Sequence, residues 1–153
     1  MDLIEYMLLD VAARPREQIR EAIRGLQEQI QGLPVVGHAE DCPVQHVFAE
    51  GTYSREITMP EGMLIVGRIH KHAHVNIISK GRCRVLTEFG SEELAAPCIF
   101  VSHEGTKRVV YIIEDTVWTT VHSNPTNETD VNKLVRELSA ESYDEIEIQG
   151  ELI

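Results

Sequence analysis

The sequence predicts an all-β fold, a sandwich or barrel, with a helical extension before it and a short helix after its last strand. Three observations lead there. Between about Val44 and Val121, short runs rich in β-branched and aromatic residues follow one another at roughly 8 to 12 residue spacing. Turn residues separate these runs, and helix-type periodicity is confined to the flanks. At least seven candidate strands result, enough for a sandwich or a closed barrel.

The elements follow in order. Leu3, Ile4, Met7, Leu8 and Val11 recur at helix spacing and predict a first helix. Pro15 opens a second, because a proline at the first helical position lacks only an N–H that would be unpaired anyway. This helix is expected to run to about Gln31, where Gly32 and Pro34 supply a stop. Its stripe of Ile19, Ile23, Leu26, Ile30 and Leu33 is a heptad seam too short for a secure coiled coil, expected instead to pack on the barrel or on a second subunit. Candidate strands cover 53–59, 64–70, 74–79, 83–89, 98–101, 108–113 and 116–121. Gly51, Pro60-Glu61-Gly62, Lys80-Gly81, Gly90-Ser91, Glu104-Gly105 and Glu114-Asp115 read as the turns between them. Beyond Asn124-Pro125, Thr129 or Asp130 can cap a short helix through Leu138, with Val131, Leu134, Val135 and Leu138 on its apolar face. The acidic tail alternates weakly at Ile146 and Ile148, and either adds an edge strand or stays mobile. The expected organisation is a helical extension over 1–40, a barrel over 41–125, and a helix with an acidic tail over 126–153.

Composition sets the partners. A chain of 153 residues fits one domain and can bury about two thirds of its unfolded surface. Fourteen basic against twenty-five acidic residues give a formal net charge of -11, which opposes phosphate-backbone binding, so no nucleic-acid partner is expected. Cys42, Cys83 and Cys98 are odd in number and contain no CxxC pair, which indicates neither a disulfide framework nor a thiolate zinc site and fits a reducing cytosol. The apolar run at the start lacks a basic segment before it. No stretch approaches the roughly 18 apolar residues of a membrane span, so a soluble protein without a targeting segment or membrane partner is expected.

Three of the seven histidines, His70, His72 and His74, fall within five residues. Neutral imidazole is the commonest side-chain ligand for zinc, iron, nickel, copper and manganese. Along a straight strand residues i and i+4 lie about 13 Å apart, so His70 and His74 can share an ion only if Lys71-His72-Ala73 makes a turn. His72 itself can point to solvent from such a turn. His38 and His46 stand apart and read as surface residues.

The run GMLIVGRIHKHAHVNIISKG resembles the first motif of the cupin family, G(x)5HxH(x)3-4E(x)6G. On that frame Gly62 opens the motif, Arg68 stands at the first histidine, His70 at the second, His74 at the glutamate, and Gly81 closes it. The stretches CPVQHVFAEGTYSREITMPEG, GRIHKHAHVNIISKGRCRV and APCIFVSHEGTKRVVYIIEDTVWTTVH together resemble small single-domain cupins of tailed bacteriophages and prophages, most of them of unknown function. The resemblance covers roughly residues 42–130 and implies a jelly-roll barrel in which His70 and His74 are the recurrent pair.

The second cupin motif, G(x)5PxG(x)2H(x)3N, departs further. HEGTKRVVYI keeps Gly105 but puts His103 at the proline, Arg108 at the histidine and Ile112 at the asparagine. The usual last metal histidine is therefore missing, and His122 is the best replacement because alternation puts Trp118, Thr120 and His122 on one face, with a rim position the equal alternative. Two guanidiniums, Arg68 and Arg108, stand where imidazoles are usual. If both point inward they attract a carboxylate or phosphate and repel a divalent cation, whereas an outward Arg68 would make a surface pair worth under about 1 kcal/mol. Tyr53, Arg55 and Glu56 can line the barrel or lie on its surface. Ser102-His103-Glu104 cannot form a triad, since adjacent residues cannot adopt its geometry. No GxSxG, P-loop or HExxH run occurs.

The expected site is a divalent transition metal (Zn, Mn, Fe, Ni or Co) on His70, His74, His122 and His72, with Arg68 and Arg108 holding a small anionic ligand. No catalytic residue can be named. Two function classes stay open, a metal-dependent enzyme on a small polar or anionic substrate, and a non-enzymatic ligand-binding or virion-associated module. A homo-oligomer located in the host cytoplasm or in the virion is expected with either.

Overall fold

The computed structural model describes residues 3–31, 41–140 and Tyr143. In chain order its elements are helices α1 (Leu3–Ala12) and α2 (Arg16–Gln31), strands β1 (Val44–Ala49), β2 (Thr52–Met59), β3 (Leu64–Val66), β4 (Ile69–His70), β5 (His74–Thr87), β6 (Gly90–Ala95), β7 (Cys98–Ser102) and β8 (Val109–Ser123), helix α3 (Val131–Leu138) and strand β9 (Ser139–Ala140).

Two long strands carry the architecture. β5 and β8 pair antiparallel along most of their length, and each meets two neighbours on its other edge. On β5, residues 74–78 pair with β7 and residues 82–87 with β6. On β8, residues 116–123 pair with β2 and residues 109–111 with β3, while β1 lies beside β2. One antiparallel, seven-stranded sheet results among the described residues, its two long strands running from one wall into the other. This is the all-β, jelly-roll barrel class that the sequence predicts.

The expected Gly90-Ser91 turn falls instead at Glu88-Phe89, with Gly90 and Ser91 inside β6, and two further expected turns are absent. Lys80-Gly81 lies inside β5 and Glu114-Asp115 inside β8. The β5–β8 register shifts between Ile78 and Lys80, between Lys80 and Arg82, and between Arg82 and Cys83, so these residues form a bulge that bends a continuous ladder. Gly81 has φ +87, and a Cβ on it would strike the Asp115 carbonyl and come within 2.6 Å of Thr116 Oγ1. Glycine is thus required by both the backbone conformation and the close approach of β8. Strands β1 and β6 were not among the expected runs, and both are edge strands whose exposed faces leave no hydrophobic alternation to read. The expected strand over 64–70 is interrupted and becomes β3 and β4.

Two apolar layers hold the molecule. Inside the barrel, Ile57, Met59, Ile65, Ile78, Cys83, Val85, Val110, Ile112 and Trp118 form one cluster. On the outer face, Leu8, Val11, Ile19 and Ile23 of the helices pack on Leu64, Leu86, Val109 and Tyr111. Ile19, Ile23 and Leu26 of the α2 stripe therefore meet the barrel. Leu33 and the expected stop at Gly32 and Pro34 lie outside the described residues. Glu88, only 4 % exposed, ties this layer by accepting from Arg16 Nε at 2.7 Å, with Arg20 Nε 3.6 Å away. Cys42, Cys83 and Cys98 are free thiols.

The C-terminal helix α3 starts where expected. Asp130 caps it, accepting from the backbone N–H groups of Asn132 and Lys133 at 3.0 and 3.3 Å. Immediately after it, β9 pairs with β4, and Lys71 N–H donates to Leu138 O at 2.9 Å. Tyr143, 1 % exposed, packs with Ile69 and Ala140. Ile146 and Ile148 of the acidic tail lie outside the described residues. No helix among the described residues is long and apolar enough to cross a membrane.

Candidate metal centre

Strand register sorts the inner face of the barrel into layers. Phe48 pairs with Tyr53 and Tyr53 with His122, while Val121 pairs with Val75 and so sets His122 beside His74, which pairs with Ser102. One step deeper, His46 pairs with Arg55, Arg55 with Thr120, Thr120 with Asn76, and Asn76 with Phe100. The third row is Val44, Ile57, Trp118, Ile78 and Cys98, where the apolar core begins. Alternation thus places an imidazole layer above a polar layer above the core.

β4 adds the third ring. The bend at Lys71-His72-Ala73 between β4 and β5 turns the chain as cooperation of His70 and His74 demands, and their ring centroids lie 4.2 Å apart. His74 and His122 are separated by 4.7 Å and His70 and His122 by 5.5 Å. One nitrogen from each of His70, His74 and His122 can be chosen so that all lie within 4.8 Å of one another. A tetrahedral zinc with nitrogens at about 2.0–2.1 Å sets them about 3.3 Å apart, so modest ring movements close the set.

The chemistry of these nitrogens fits a metal. His70 Nδ1 and His74 Nε2 are buried and have no hydrogen-bond partner. Buried polar nitrogens are normally paired, so two orphans within a group of three rings that can bring their nitrogens within 4.8 Å of one another mark a site for something electron-accepting. His74 Nδ1 lies 3.2 Å from the His72 carbonyl, which can only accept, so the proton sits on Nδ1 and the buried Nε2 carries the lone pair. His122 Nε2 lies 3.0 Å from Thr120 Oγ1.

Burial keeps all three rings neutral. It pushes His70 down to about 2 and His122 to about 4, with the neighbouring imidazoles and the guanidinium of Arg55 adding to both and that of Arg108 to His70. His74 is lowered for the same first reason, against the hydrogen bond to His72. No aspartate or glutamate belongs to the group among the described residues.

The structure separates the residues singled out from sequence. His70, His74 and His122 converge. His72 is exposed and outside the group, contributing its carbonyl and not its ring, because it sits in the bend between β4 and β5 and not on a strand face. Arg68 is exposed too, and its Nε donates to Ser139 Oγ at 2.7 Å, so it secures β9 and does not enter the barrel. Arg108 does point inward. Its Nη2 donates to Ser102 Oγ, its Cζ lies 5.8 Å from the rings of both Phe100 and Trp118, and burial lowers its pKa to about 10. His103 is exposed, with its carbonyl accepting from Thr106 Oγ1 at 2.8 Å. His38 lies outside the described residues. His46, exposed on β1, still reaches in with Nδ1 2.7 Å from the Tyr53 hydroxyl.

Sequence reasoning gave no site role to Asn76 or Ser102. Asn76 is fully buried, donates from Nδ2 to Ser102 Oγ at 2.6 Å and accepts from Trp118 Nε1 at 2.9 Å. The signal was present, since Asn76 sits two residues after His74 on the same strand face. Arg55, left open between lining and surface, faces inward between Tyr53 and Ile57, which are 2 % and 7 % exposed.

No protein-family model matches the chain, and no curated protein matches it. Solved structures that it is similar to include cupins. One is an RmlC-like cupin family protein with a double-stranded β-helix fold from Methanocaldococcus jannaschii, 18% identical over 57% of this chain and 85% of that one, with a TM-score of 0.47. Another is the Schizosaccharomyces pombe Cnp3 cupin domain, 18% identical over 61% and 68%, TM-score 0.49. A third is a cupin 2 domain-containing protein from Halorhodospira halophila, 13% identical over 67% and 80%, TM-score 0.48. At these values the likenesses carry no argument about binding or activity.

Proposed function

We propose that the barrel mouth holds one divalent transition metal (Zn, Mn, Fe, Ni or Co) on His70, His74 and His122, and that a small anionic molecule binds beside it. The observation that carries the metal is a group of three histidines with a nitrogen each within 4.8 Å of the others, in which His70 Nδ1 and His74 Nε2 are buried without a hydrogen-bond partner. Three protein ligands leave a coordination position open, the pattern of a reactive site and not of a closed structural one. A bound ion would supply Lewis acidity or lower the pKa of bound water toward about 7. The chain's own part is to hold neutral imidazoles, to orient His74 through the His72 carbonyl, and to place Arg108 by way of Ser102 and Asn76.

A metal-dependent enzyme acting on a small polar or anionic substrate is therefore favoured over a ligand-binding or virion-associated module, and the open coordination position is what favours it. The resemblance to bacteriophage and prophage proteins supports a phage-encoded origin and a place in the host cytoplasm or the virion. Assembly into a homo-oligomer would use the outer sheet face, where Val75, Ile99 and Val101 are 38 %, 72 % and 56 % exposed on paired strands, since Ile19 and Ile23 of the α2 stripe are already buried. Light scattering on the wild type and on Ile99→Lys tests that part.

Elemental analysis of protein expressed without a histidine tag decides the metal. Up to one metal per chain is expected. Protein that is metal-free and also takes up none of the five ions overturns the proposal.

A further inference from the structure

The barrel contains two cations that its own acids do not neutralise. Arg55 rises from β2 one register step below the histidine layer, level with Thr120 and Asn76. Arg108 enters from the opposite wall, bonded to Ser102, which pairs with His74 in the histidine layer itself. Neither guanidinium has an ion-pair partner among the described residues, although the chain carries twenty-five acids and Arg82 and Arg84 of β5 both reach Glu93. Glu92 acts on Arg108 only from a distance, without contact. The neutral imidazoles bring no negative charge either. Burying unpaired charge is strongly unfavourable, so such an arrangement persists where a ligand completes it.

We propose that Arg55 and Arg108 form the anion-holding floor of the metal site, and that the ligand is a small dianion which meets the metal with one end and the guanidiniums with the other. Guanidinium is suited to this, presenting a planar fork of donors that matches carboxylate and phosphate oxygens. A dicarboxylate and inorganic phosphate share that chemistry, and the size of the ligand is limited by the layer below, where Ile57, Trp118 and Ile78 close the barrel. The floor lies deeper than the histidines, so a monoanion that only coordinates the ion leaves the arginines unanswered. Arg55 then sets specificity without touching the metal.

This rests on the metal reading, and the experiment keeps the two apart. Zinc is loaded and counted first, and the affinities of malonate, inorganic phosphate and acetate are then measured by calorimetry on the zinc-loaded full chain. Malonate or phosphate should bind at least about tenfold tighter than acetate. Arg55→Gln should remove most of that advantage at unchanged zinc content, with Arg55→Lys restoring part of it. Arg108→Gln should act in the same direction, and the Arg55 variants keep the test valid if the Arg108 variant fails to fold. Malonate and phosphate affinities that survive Arg55→Gln would show chelation by the ion alone and overturn the proposal, as would binding no tighter than acetate. A wild type that takes up no zinc overturns the metal reading and this proposal with it.

Discussion

His74 donates its Nδ1–H to the carbonyl oxygen of His72, 3.2 Å away, and this contact decides which nitrogen His74 offers to the centre of the barrel. A carbonyl has no proton to give, so Nε2 carries the lone pair, and Nε2 is the atom left buried and partnerless. His72 thus serves the site through its backbone while its ring stays in solvent.

The division of labour among four histidines is testable. His70→Ala, His74→Ala and His122→Ala should each lose bound metal, since a three-ligand set reduced to two loses most of its affinity. His72→Ala should keep it, because alanine supplies the same carbonyl. Metal-to-protein ratios after dialysis measure both, and loss of metal in His72→Ala would mean that its ring takes part.

The pH dependence follows from burial. The three rings are held neutral in the folded chain, whereas in the unfolded chain they titrate near the ordinary value of about 6.5. Above that pH both states are neutral and the metal-free fold has its full stability. As pH falls through about 6.5 the unfolded chain takes up protons first, so stability declines toward the folded values, about 4 for His122 and about 2 for His70. Each ring contributes a slope approaching about 1.4 kcal/mol per pH unit. Melting temperature of the metal-free protein should drop steadily from pH 7 to pH 5, and His122→Gln should flatten that drop. Proton competition for bound metal should begin at lower pH than the value near 6 expected for exposed imidazoles, which zinc competition at pH 5 to 7 measures.

Much of this was legible in the residues, for identifiable reasons. His70, His74 and Gly81 keep motif spacing because a bend, a strand and a bulge must follow at fixed distances for two rings to meet. Alternation put His122 on one face with Trp118 and Thr120, and only the register with Tyr53 and Val75 shows that this face is inside. The direction of Arg68 could not, since it depends on Ser139, seventy-one residues away. Arg55 is a similar case, because Tyr53-Ser54-Arg55-Glu56 alternates polar residues on both faces, and only register with Thr120 shows which face is inside. Lys80-Gly81 misled because glycine serves turns and bulges alike, and the difference lies in what β8 does opposite.

Gly81→Ala should therefore be costly although it adds one methyl group. Positive φ and collision with the Asp115 carbonyl act together, and the neighbour is backbone that cannot rotate away. A loss of at least about 2 kcal/mol is expected in denaturant unfolding. A loss under about 0.5 kcal/mol would mean that the bulge shifts register to make room.

The outer layer should be separable from the site. Ile23 is fully buried against the barrel wall, so Ile23→Ala should destabilise by about 2–5 kcal/mol. Its cluster shares no residue with the histidine layer. Zinc stoichiometry at 10 °C, where the variant stays folded, should equal that of the wild type.

The C-terminal segment, in contrast, should influence the metal. His70 sits on a two-residue strand whose backbone partners are Ser139 and, through its own carbonyl, Gly105, whose N–H lies 2.9 Å away. Lys71 N–H is held by Leu138 O and Arg68 by the Ser139 hydroxyl. Leu134, 2 % exposed, is the apolar anchor of α3. Leu134→Ala should loosen α3 and β9, and with them the placement of His70, while β5 and β8 keep His74 and His122 in position. Metal affinity should fall by about tenfold or more with all three ligands intact, and amide exchange should quicken at Lys71 and Ser139 before it does in β5. Unchanged affinity beside quickened exchange would show that the bend at Lys71-His72-Ala73 holds His70 without the C-terminal strand.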